Sequence, residues 1–177
     1  DTSVTAAALN TLDEKTTVAI NASNITTLTG SVADLNTAYA ANGNGSISGL
    51  GNEAVTLSDT SVSASVLNTL DGNTSGAINA VSINTLTGTA AEITTVYSSS
   101  GISGLGNEVV SVTGTEYTVA QLKEINNATT GAIVLVVPSL DLTGTAADLV
   151  SAFAGTITTH TGDITITDTP TNAQLEL

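Results

Sequence analysis

Oxygen-bearing side chains are the main candidates for chemistry in this sequence, and one stretch combines them with glycine. The segment Asp71-Gly72-Asn73-Thr74-Ser75-Gly76 offers several oxygen ligands and a glycine turn, as a calcium loop requires. In its counterparts elsewhere in the chain, Asp13 is soon followed by Lys15, and Asn126 replaces the carboxylate. Because the pattern is not maintained between counterparts, a turn that ends a helix is favoured, and bound Ca²⁺ stays an open alternative without assigned ligands.

A second set of carboxylates, Glu53, Glu108 and Asp163, recurs just before predicted strands. Two layers of parallel stacking would separate successive members by about 9.6 Å, too far to share one Ca²⁺. We therefore predict solubilising charges at a corner, with weak cation sites as the alternative. A third set is predicted to cap helix N-termini. Its members are Asp34, Glu92 and Asp148.

Catalytic groups are scarce. His160 is the only histidine, and it lies in a threonine-rich corner where an exposed surface position is expected. The sequence has no cysteine or arginine, and its only cationic side chains are Lys15 and Lys123. The separation of about 9.6 Å expected between stacked carboxylates exceeds both the roughly 5–5.5 Å of retaining and the roughly 6.5–9.5 Å of inverting glycosidases. No catalytic, cofactor-binding or metal-binding residues are assigned, and the chain is predicted not to be an enzyme.

Composition restricts the class of protein further. The 177 residues carry a formal net charge of −14, the wrong sign for binding nucleic acid or anionic membranes. No apolar run approaches the ~20 residues of a membrane span. Hydrophobic residues make up 41% of the chain but aromatic residues only 2%, which indicates a thin aliphatic interior.

An internal repeat places these residues on structural elements. Equivalent apolar positions recur 26 to 32 residues apart and predict a solenoid, in which each coil is buried by its neighbours. We expect a β-solenoid with a short helix in most coils, similar to leucine-rich repeats, with coils of about 27 residues and a two-coil repeat of about 55. The repeated positions are Leu9, Leu35, Leu67, Ile93, Leu122, Leu149 and Leu175.

The predicted domain organisation is a single solenoid over residues 1–177. Two-coil units are expected at about 4–58, 62–115 and 117–168, with a partial coil at 169–177 that repeats the beginning of the sequence. The segment Ala41-Asn42-Gly43-Asn44-Gly45 is predicted to be a loop that absorbs a three-residue difference between units.

Each coil should contain one helical and one extended side. Capping patterns predict helix starts at Ser31, Thr89, Thr118 and Thr145, and also over Thr171–Gln174. Apolar residues at helical spacing follow two of them, Ala90, Ile93, Val96 and Tyr97 in one and Val119, Leu122 and Ile125 in the other. Short strands are expected to open at six isoleucines that form one internal column, with threonine, serine and asparagine outside. These are Ile20, Ile47, Ile78, Ile102, Ile133 and Ile157.

Aromatic residues recur at one position in alternate coils, namely Tyr39, Tyr97 and Phe153. They are expected to lie at the corner where a helix ends. Packing is favoured there over a platform on which sugars would stack.

Several phrases of the sequence resemble repeats of giant secreted surface proteins of marine cyanobacteria, and similar repeats in some cyanophage structural proteins. They are Leu-Asn-Thr-Leu-Asp, Leu-Thr-Gly-Thr-Ala-Ala-Glu/Asp, Ile-Ser-Gly-Leu-Gly-Asn-Glu and Ile-Thr-Ile-Thr-Asp-Thr-Pro-Thr. The resemblance implies an adhesin-like exoprotein exported by type I secretion. The glycine-rich calcium nonapeptide of that group is missing from this sequence, and no site residues carry over.

The expected function is an extracellular structural segment, either a stiff solenoid rod or a fibre-forming subunit of a large surface protein. The expected partners are further copies joined end to end, or neighbouring repeats of a longer chain. The alternative is an adhesive module that binds a glycan or a surface through its threonine/serine wall or its tyrosine column, with stabilisation by Ca²⁺ left open.

Overall fold

A computed structural model describes residues 2–157 and 159–171 of the chain. The described chain is an α/β protein with six helices and thirteen short strands, and the pairings recorded between strands are parallel. The predicted apolar position at Leu175 and the predicted cap that ends at Gln174 lie outside the described residues. In chain order the elements are β1 (Ser3–Thr5), α1 (Ala6–Asp13), β2 (Ile20–Asn21), β3 (Thr27–Gly30), α2 (Val32–Asn44), β4 (Ile47–Ser48), β5 (Ala54–Leu57), β6 (Ser61–Ser63), α3 (Ala64–Asn73), β7 (Ile78–Asn79), β8 (Thr85–Gly88), α4 (Ala90–Ser98), β9 (Ile102–Ser103), β10 (Val109–Val112), α5 (Val119–Ala128), β11 (Ile133–Leu135), β12 (Leu142–Gly144), α6 (Ala146–Phe153) and β13 (Ile164–Ile166).

The chain divides into two compact units, and the first contains the described residues up to Ile83 together with Ser99–Leu105. Its main sheet has the order β1-β3-β5-β7-β9, while β2 pairs with β4. Helix α2 packs against both α1 and α3. Alternation along the strands turns one residue in two inward. The inward row of the main sheet consists of Val4, Leu28, Val55, Ile78 and Ile102 in consecutive register.

The second unit contains Asn84–Ser98 and the described residues from Gly106 onward. In it, β10 lies between β8 and β11, β12 pairs with β13, and an isolated bridge joins Ile133 to Ile157. Helix α5 packs against α4 and α6. Leu86, Val110 and Ile133 form the inward row of the sheet and are fully buried.

The predicted helical repeat positions are confirmed wherever the structure describes them. Leu35, Leu67, Ile93 and Leu122 are completely buried, and Leu9 and Leu149 are 6% and 5% exposed. The four predicted helix starts are also confirmed, because α2, α4, α5 and α6 begin directly after the predicted cap residues. The prediction of a single domain over the whole chain stays a prediction.

The single column of six isoleucines is wrong. Ile20 pairs with Ile47 in the small sheet, whereas Ile78 lies between Val55 and Ile102 in the main sheet. Strand β7 pairs with β5, which contains Val55, and not with β4. Strand β5 is four residues long and offers more backbone hydrogen-bonding groups than the two-residue β4. In the second unit, Ile133 of β11 pairs with Val110 on one side and with Ile157 on the other.

The loop predicted at Ala41–Gly45 is also wrong, since α2 continues through Asn44 and only Gly45 leaves the helix. Gly45 adopts the left-handed conformation, with φ 89°, that ends many helices. The three extra residues are close to one helical turn of 3.6 residues. They therefore lengthen α2 while nearly preserving the direction of its buried face.

Candidate functional site

Two glutamates predicted to be surface charges are instead buried, and each forms the centre of a carboxylate corner. Glu53 is 2% exposed and Glu108 is 1% exposed. The prediction of solubilising charges is wrong for both, because the chain folds the side chains back toward donors that the repeat supplies. We define the first carboxylate corner as Tyr39 with Gly51-Asn52-Glu53, and the second as Tyr97 with Gly106-Asn107-Glu108.

In the first corner, the Glu53 carboxylate accepts hydrogen bonds from one phenol and from two backbone amides. The Tyr39 hydroxyl donates to Glu53 Oε1. The Gly51 and Asn52 amides donate to Oε2 over 2.9 and 3.2 Å. Gly51 has a φ of 132°, a conformation that favours glycine and that lets two successive amides point at one carboxylate oxygen.

The second corner repeats this arrangement within the second unit. The Tyr97 hydroxyl donates to Glu108 Oε1, and the Gly106 and Asn107 amides donate to Oε2 over 2.7 and 3.1 Å. Gly106 has a φ of 130°. An ionised carboxylate only accepts hydrogen bonds, so the corner matches the chemistry of a buried, fully engaged anion.

The tyrosines of both corners are held in the protonated form. Burial raises the pKa of Tyr39 and Tyr97 well above the ordinary value of 10.0, and the hydrogen bond to the glutamate raises it further. A phenolate beside a carboxylate would place two like charges together. The phenols therefore act as permanent donors, and their hydroxyls are engaged inside the protein. This geometry does not offer Tyr39, which is 5% exposed, as a platform for sugars.

Phe153 and Asp163, the predicted third members of the aromatic set and the carboxylate set, differ from the first two members. Phe153 replaces the tyrosine and has no hydroxyl to donate, and Asp163 is exposed. His160, predicted to be exposed, is half-buried: its ring lies 5.3 Å from that of Phe153, and its Nε2 lies 2.9 Å from the Leu140 carbonyl oxygen. The prediction of an aromatic at each helix end is confirmed for Phe153 and for Tyr97, the last residue but one of α4, but it is wrong for Tyr39, which lies inside α2.

Sequence reasoning missed the buried corner, although the sequence contained a signal. The two repeats with tyrosine have glutamate at the corner, whereas the repeat with phenylalanine has aspartate. Loss of the hydroxyl and shortening of the acid occur together, as expected if the two groups bond to each other.

Close packing of one repeat on the next surrounds each corner. A Cβ on Gly76 would lie 1.9 Å from the carbonyl oxygen of Glu53, and one on Gly131 would lie 2.0 Å from that of Glu108. These separations are far below van der Waals contact. The glycines are therefore required by the approach of neighbouring backbone.

The third set of carboxylates lies in the first turn of its helices, as predicted, and Glu92 completes a capping box by accepting from the Thr89 amide over 2.9 Å. Asp34 and Glu92 accept from the hydroxyls of their own cap residues, Ser31 and Thr89. Asp148 does the same with Thr145 and in addition pairs with Lys123 at 2.7 Å. These two hydrogen bonds lower the pKa of Asp148, with that from Lys123 the larger cause.

Two further carboxylates cap helices of neighbouring repeats, which the sequence did not indicate. Asp59 accepts from the Val32 amide at the start of α2, and Asp168 accepts from the Ala146 amide at the start of α6. Negative charge at a helix N-terminus is favourable because the free amides there carry partial positive charge.

The predicted calcium loop belongs to helix α3, which includes Asp71 and ends at Asn73. Asp71 accepts from the Ser99 hydroxyl, and Asp13 accepts from the Ser46 hydroxyl. Over residues 2–157 and 159–171, no group of three or more His, Cys, Asp or Glu side chains is arranged to hold a metal ion.

An outer row of polar side chains lies on the main sheet of the first unit. Thr5, Thr29, Thr56, Asn79 and Ser103 occupy consecutive register positions, one residue after the inward row. Their strands are about 4.8 Å apart. We call these five residues the polar row. In the second unit the corresponding row contains Thr87 and Ser111 but is interrupted by Val134, which is 39% exposed.

An open cleft of about 720 Å³ in the second unit is lined by Glu116, Tyr117, Gln121 and Asp141 among others.

Comparison with known proteins gives no relative: no family model, curated protein or solved structure matches the chain. Among the helices that the structure describes, none is long and apolar enough to span a membrane.

Proposed function

We propose that this chain is an extracellular structural repeat segment of a large surface protein, folded as a β-solenoid. The observation that carries the proposal is the parallel register within each unit, where strands about one coil apart in the sequence pair directly. In the first unit, Val4, Leu28, Val55 and Ile78 follow one another along the sheet, each on a different strand. Such pairing is what stacked coils require.

The proposed role is mechanical spacing or display, and it rests on how the repeats are secured. The interior of each unit is aliphatic, and its buried charges are committed to donors in the carboxylate corners. Glu53 and Glu108 are 2% and 1% exposed and bond to donors within the protein, which fits a structural role for both. The location at a cell surface is proposed from the resemblance of the repeated phrases to secreted surface proteins.

Engineered disulfides across the register test the stacking of coils. The wild-type chain has no cysteine, and the register partners Thr29 and Thr56 lie on adjacent strands about 4.8 Å apart, within the Cα separation that a disulfide spans. We expect Thr29→Cys/Thr56→Cys to form an intramolecular disulfide on mild oxidation, and Thr29→Cys/Ser103→Cys, three strands apart in the same row, to form none. Failure of the first pair to close in the folded protein would contradict the proposal. Protease accessibility of the protein on intact producing cells tests the location.

A second candidate function is adhesion through the polar row. The specific observation in its favour is the regular, register-matched spacing of Thr5, Thr29 and Thr56, because a repeating array of polar groups can match a repeating surface. Because the Tyr39 hydroxyl is bonded to Glu53, we propose the polar row and not the tyrosines as the binding surface.

Binding to crystalline cellulose and to a glycan array tests adhesion. If the polar row binds either probe, Thr29→Val and Thr56→Val together should abolish retention, while Thr11→Val on the exposed side of α1 should not. Absence of binding by the wild-type chain to both probes would count against this candidate and leave the structural role unaffected.

A further inference from the structure

Helix α2 ends in the only two asparagine–glycine pairs of the sequence, Asn42-Gly43 and Asn44-Gly45. An asparagine that precedes glycine is prone to lose its side-chain nitrogen as ammonia, because glycine has no side chain to hinder its own amide nitrogen. The reaction requires that this amide leave its hydrogen bond and that the asparagine side chain turn toward it. Helix α2 packs against both α1 and α3, so the surroundings of both pairs lie within the first unit.

Asn42 is held away from this reaction by its hydrogen bonds. Its Oδ1 accepts from the Leu50 amide over 3.1 Å, and its Nδ2 donates to the Leu50 carbonyl oxygen over 3.4 Å. The following residue, Gly43, is inside the helix, where its amide belongs to the backbone ladder. Reaction would have to break both sets of hydrogen bonds, so the fold protects this pair.

Asn44 is the last residue of α2, and it is exposed. The Gly45 amide is shared between the carbonyl oxygens of Ala41 and Asn42, over 3.1 and 3.3 Å. Helix ends fray, so this amide can be released without loss of buried contacts. Asn44 Oδ1 accepts from the Ser46 amide over 3.0 Å, which folds the side chain back over the Gly45 peptide. Both requirements for reaction are therefore easily met at this pair.

We propose that Asn44 is a site of spontaneous deamidation, which weakens the contact between α2 and α1 as the protein ages. The Gly45 amide nitrogen attacks Cγ of Asn44, and the new C–N bond closes a succinimide ring. The proton of that amide passes through solvent to the side-chain nitrogen, which leaves as ammonia. Water then opens the ring at either carbonyl, which gives aspartate or isoaspartate at position 44.

The new carboxylate would lie at the end of α2 and beside Asp13 of α1. Ser46 already connects the two positions, since its amide donates to Asn44 and its hydroxyl donates to Asp13 Oδ2 over 2.9 Å. Two carboxylates on one serine repel each other, and negative charge at a helix C-terminus is unfavourable. The isoaspartate product also lengthens the backbone by one methylene group. Deamidation therefore opposes the contact that Ser46 now makes between the two helices.

The next repeat builds an equivalent corner without asparagine. There the Ser99 hydroxyl oxygen accepts from the Gly101 amide over 3.0 Å, as Asn44 Oδ1 does from the amide of Ser46. The same hydroxyl donates to Asp71 Oδ2 over 2.8 Å. Serine cannot form a succinimide. Asn44→Ser is therefore a control that the fold already uses at this corner.

Peptide mapping by mass spectrometry, after incubation at mildly alkaline pH, tests the site. We expect the folded chain to deamidate at Asn44 at least about ten times faster than at Asn42, because opening a helix end costs less free energy than opening a helix interior. In urea, where the chain is unfolded, the two sites should react at similar rates. Asn44→Ser should abolish the fast reaction and leave the slow one unchanged. Equal rates in the folded chain, or no reaction at Asn44, would overturn the proposal.

The thermal midpoint tests the effect on the contact between the helices. Deamidated wild type, separated by anion exchange, should melt below the fresh protein, while Asn44→Ser incubated in the same way should keep its midpoint. Asn44→Asp supplies the charge without isoaspartate and should also lower the midpoint, by less when Asp13→Asn removes the neighbouring carboxylate. An unchanged midpoint after deamidation, or a loss that is independent of Asp13, would contradict the proposed weakening of the contact.

Discussion

At the residue scale, the carboxylate corners join each of two helices to a segment that follows it in the chain. Glu53 sits in an aliphatic interior, and it is tolerated there because one phenol and two amides satisfy it. A buried ionised group without such donors would cost several kcal/mol. The first corner therefore links α2 to β5, since Tyr39 belongs to α2 and Glu53 directly precedes β5.

Tyr39→Phe should lower the free energy of unfolding by about 1–3 kcal/mol, because it removes one donor from a buried carboxylate. Urea unfolding measures the change. The double variant Tyr39→Phe/Glu53→Gln should show a coupling energy of about 0.5–3 kcal/mol relative to the two single variants. Additive effects would mean that the phenol and the carboxylate do not stabilise each other.

Stability should also fall at alkaline pH. The folded-state pKa of Tyr39 and Tyr97 is raised above the ordinary 10.0, so the folded protein binds these protons more tightly than the unfolded chain. Their contribution is complete below pH 10.0 and is lost as pH rises toward the folded-state values. Tyrosinate absorbance should thus appear together with unfolding. Tyr39→Phe/Tyr97→Phe should show a shallower alkaline loss of stability, and an unchanged loss would contradict this assignment.

Gly76→Ala should be strongly destabilising, by about 3 kcal/mol or more, because the new Cβ meets the backbone of Glu53. Gly72→Ala is a matched control in the same repeat: no atom lies within 4 Å of its Cβ position, and it is inside α3. There alanine should be neutral or should stabilise by up to about 1 kcal/mol. Equal effects in chemical denaturation would show that backbone contact is not the reason for the glycine.

At the element scale, the helices depend on caps and on packing. They are 8 to 13 residues long, and isolated helices of that length are marginal in water. Helix α5 has a complete capping box, in which Thr118 accepts from the Gln121 amide and Gln121 accepts from the Thr118 amide. Helix α3 has Ser63 at the same position without a side-chain capping bond.

Thr118→Ala should therefore cost about 0.5–2 kcal/mol, as loss of an N-cap typically does. Ser63→Ala should change stability by less than about 0.5 kcal/mol, because it removes no capping bond. Thermal and urea unfolding of both variants compare the two sites. A loss at Ser63 as large as that at Thr118 would exclude capping as the cause.

At the scale of the whole molecule, charge is the dominant property. A net charge of −14 with only two lysines makes the folded chain repel itself, and salt should relieve that repulsion. Lys123, paired with Asp148, offsets only one carboxylate.

The thermal midpoint should rise as NaCl is increased from about 0.01 M to 0.15 M, because the Debye length falls from about 30 Å to about 8 Å. Calcium and magnesium at equal millimolar concentration should raise the midpoint equally, since neither finds a cluster of three carboxylates in the described part of the chain. A rise of several degrees specific to Ca²⁺, with chelation reversing it, would show that a calcium site exists.

The sequence alone was sufficient to predict the features that depend on local periodicity. Helix starts follow from Ser31, Thr89, Thr118 and Thr145, because a capping side chain bonds to amides two or three residues away. Burial of the repeated leucines follows from helical spacing in the same way. The strand segments opening at the isoleucines were predicted for a similar reason, since β-branched residues between glycine and polar residues favour extended backbone.

Only the tertiary structure decided which strands pair and which charges are buried. Register depends on contacts between residues more than twenty positions apart, so Ile78 meets Val55 and not Ile47. Burial of Glu53 depends on a phenol fourteen residues away and on amides aimed by one glycine. Both effects depend on neighbours that are distant in the sequence, and local patterns of residues do not identify those neighbours.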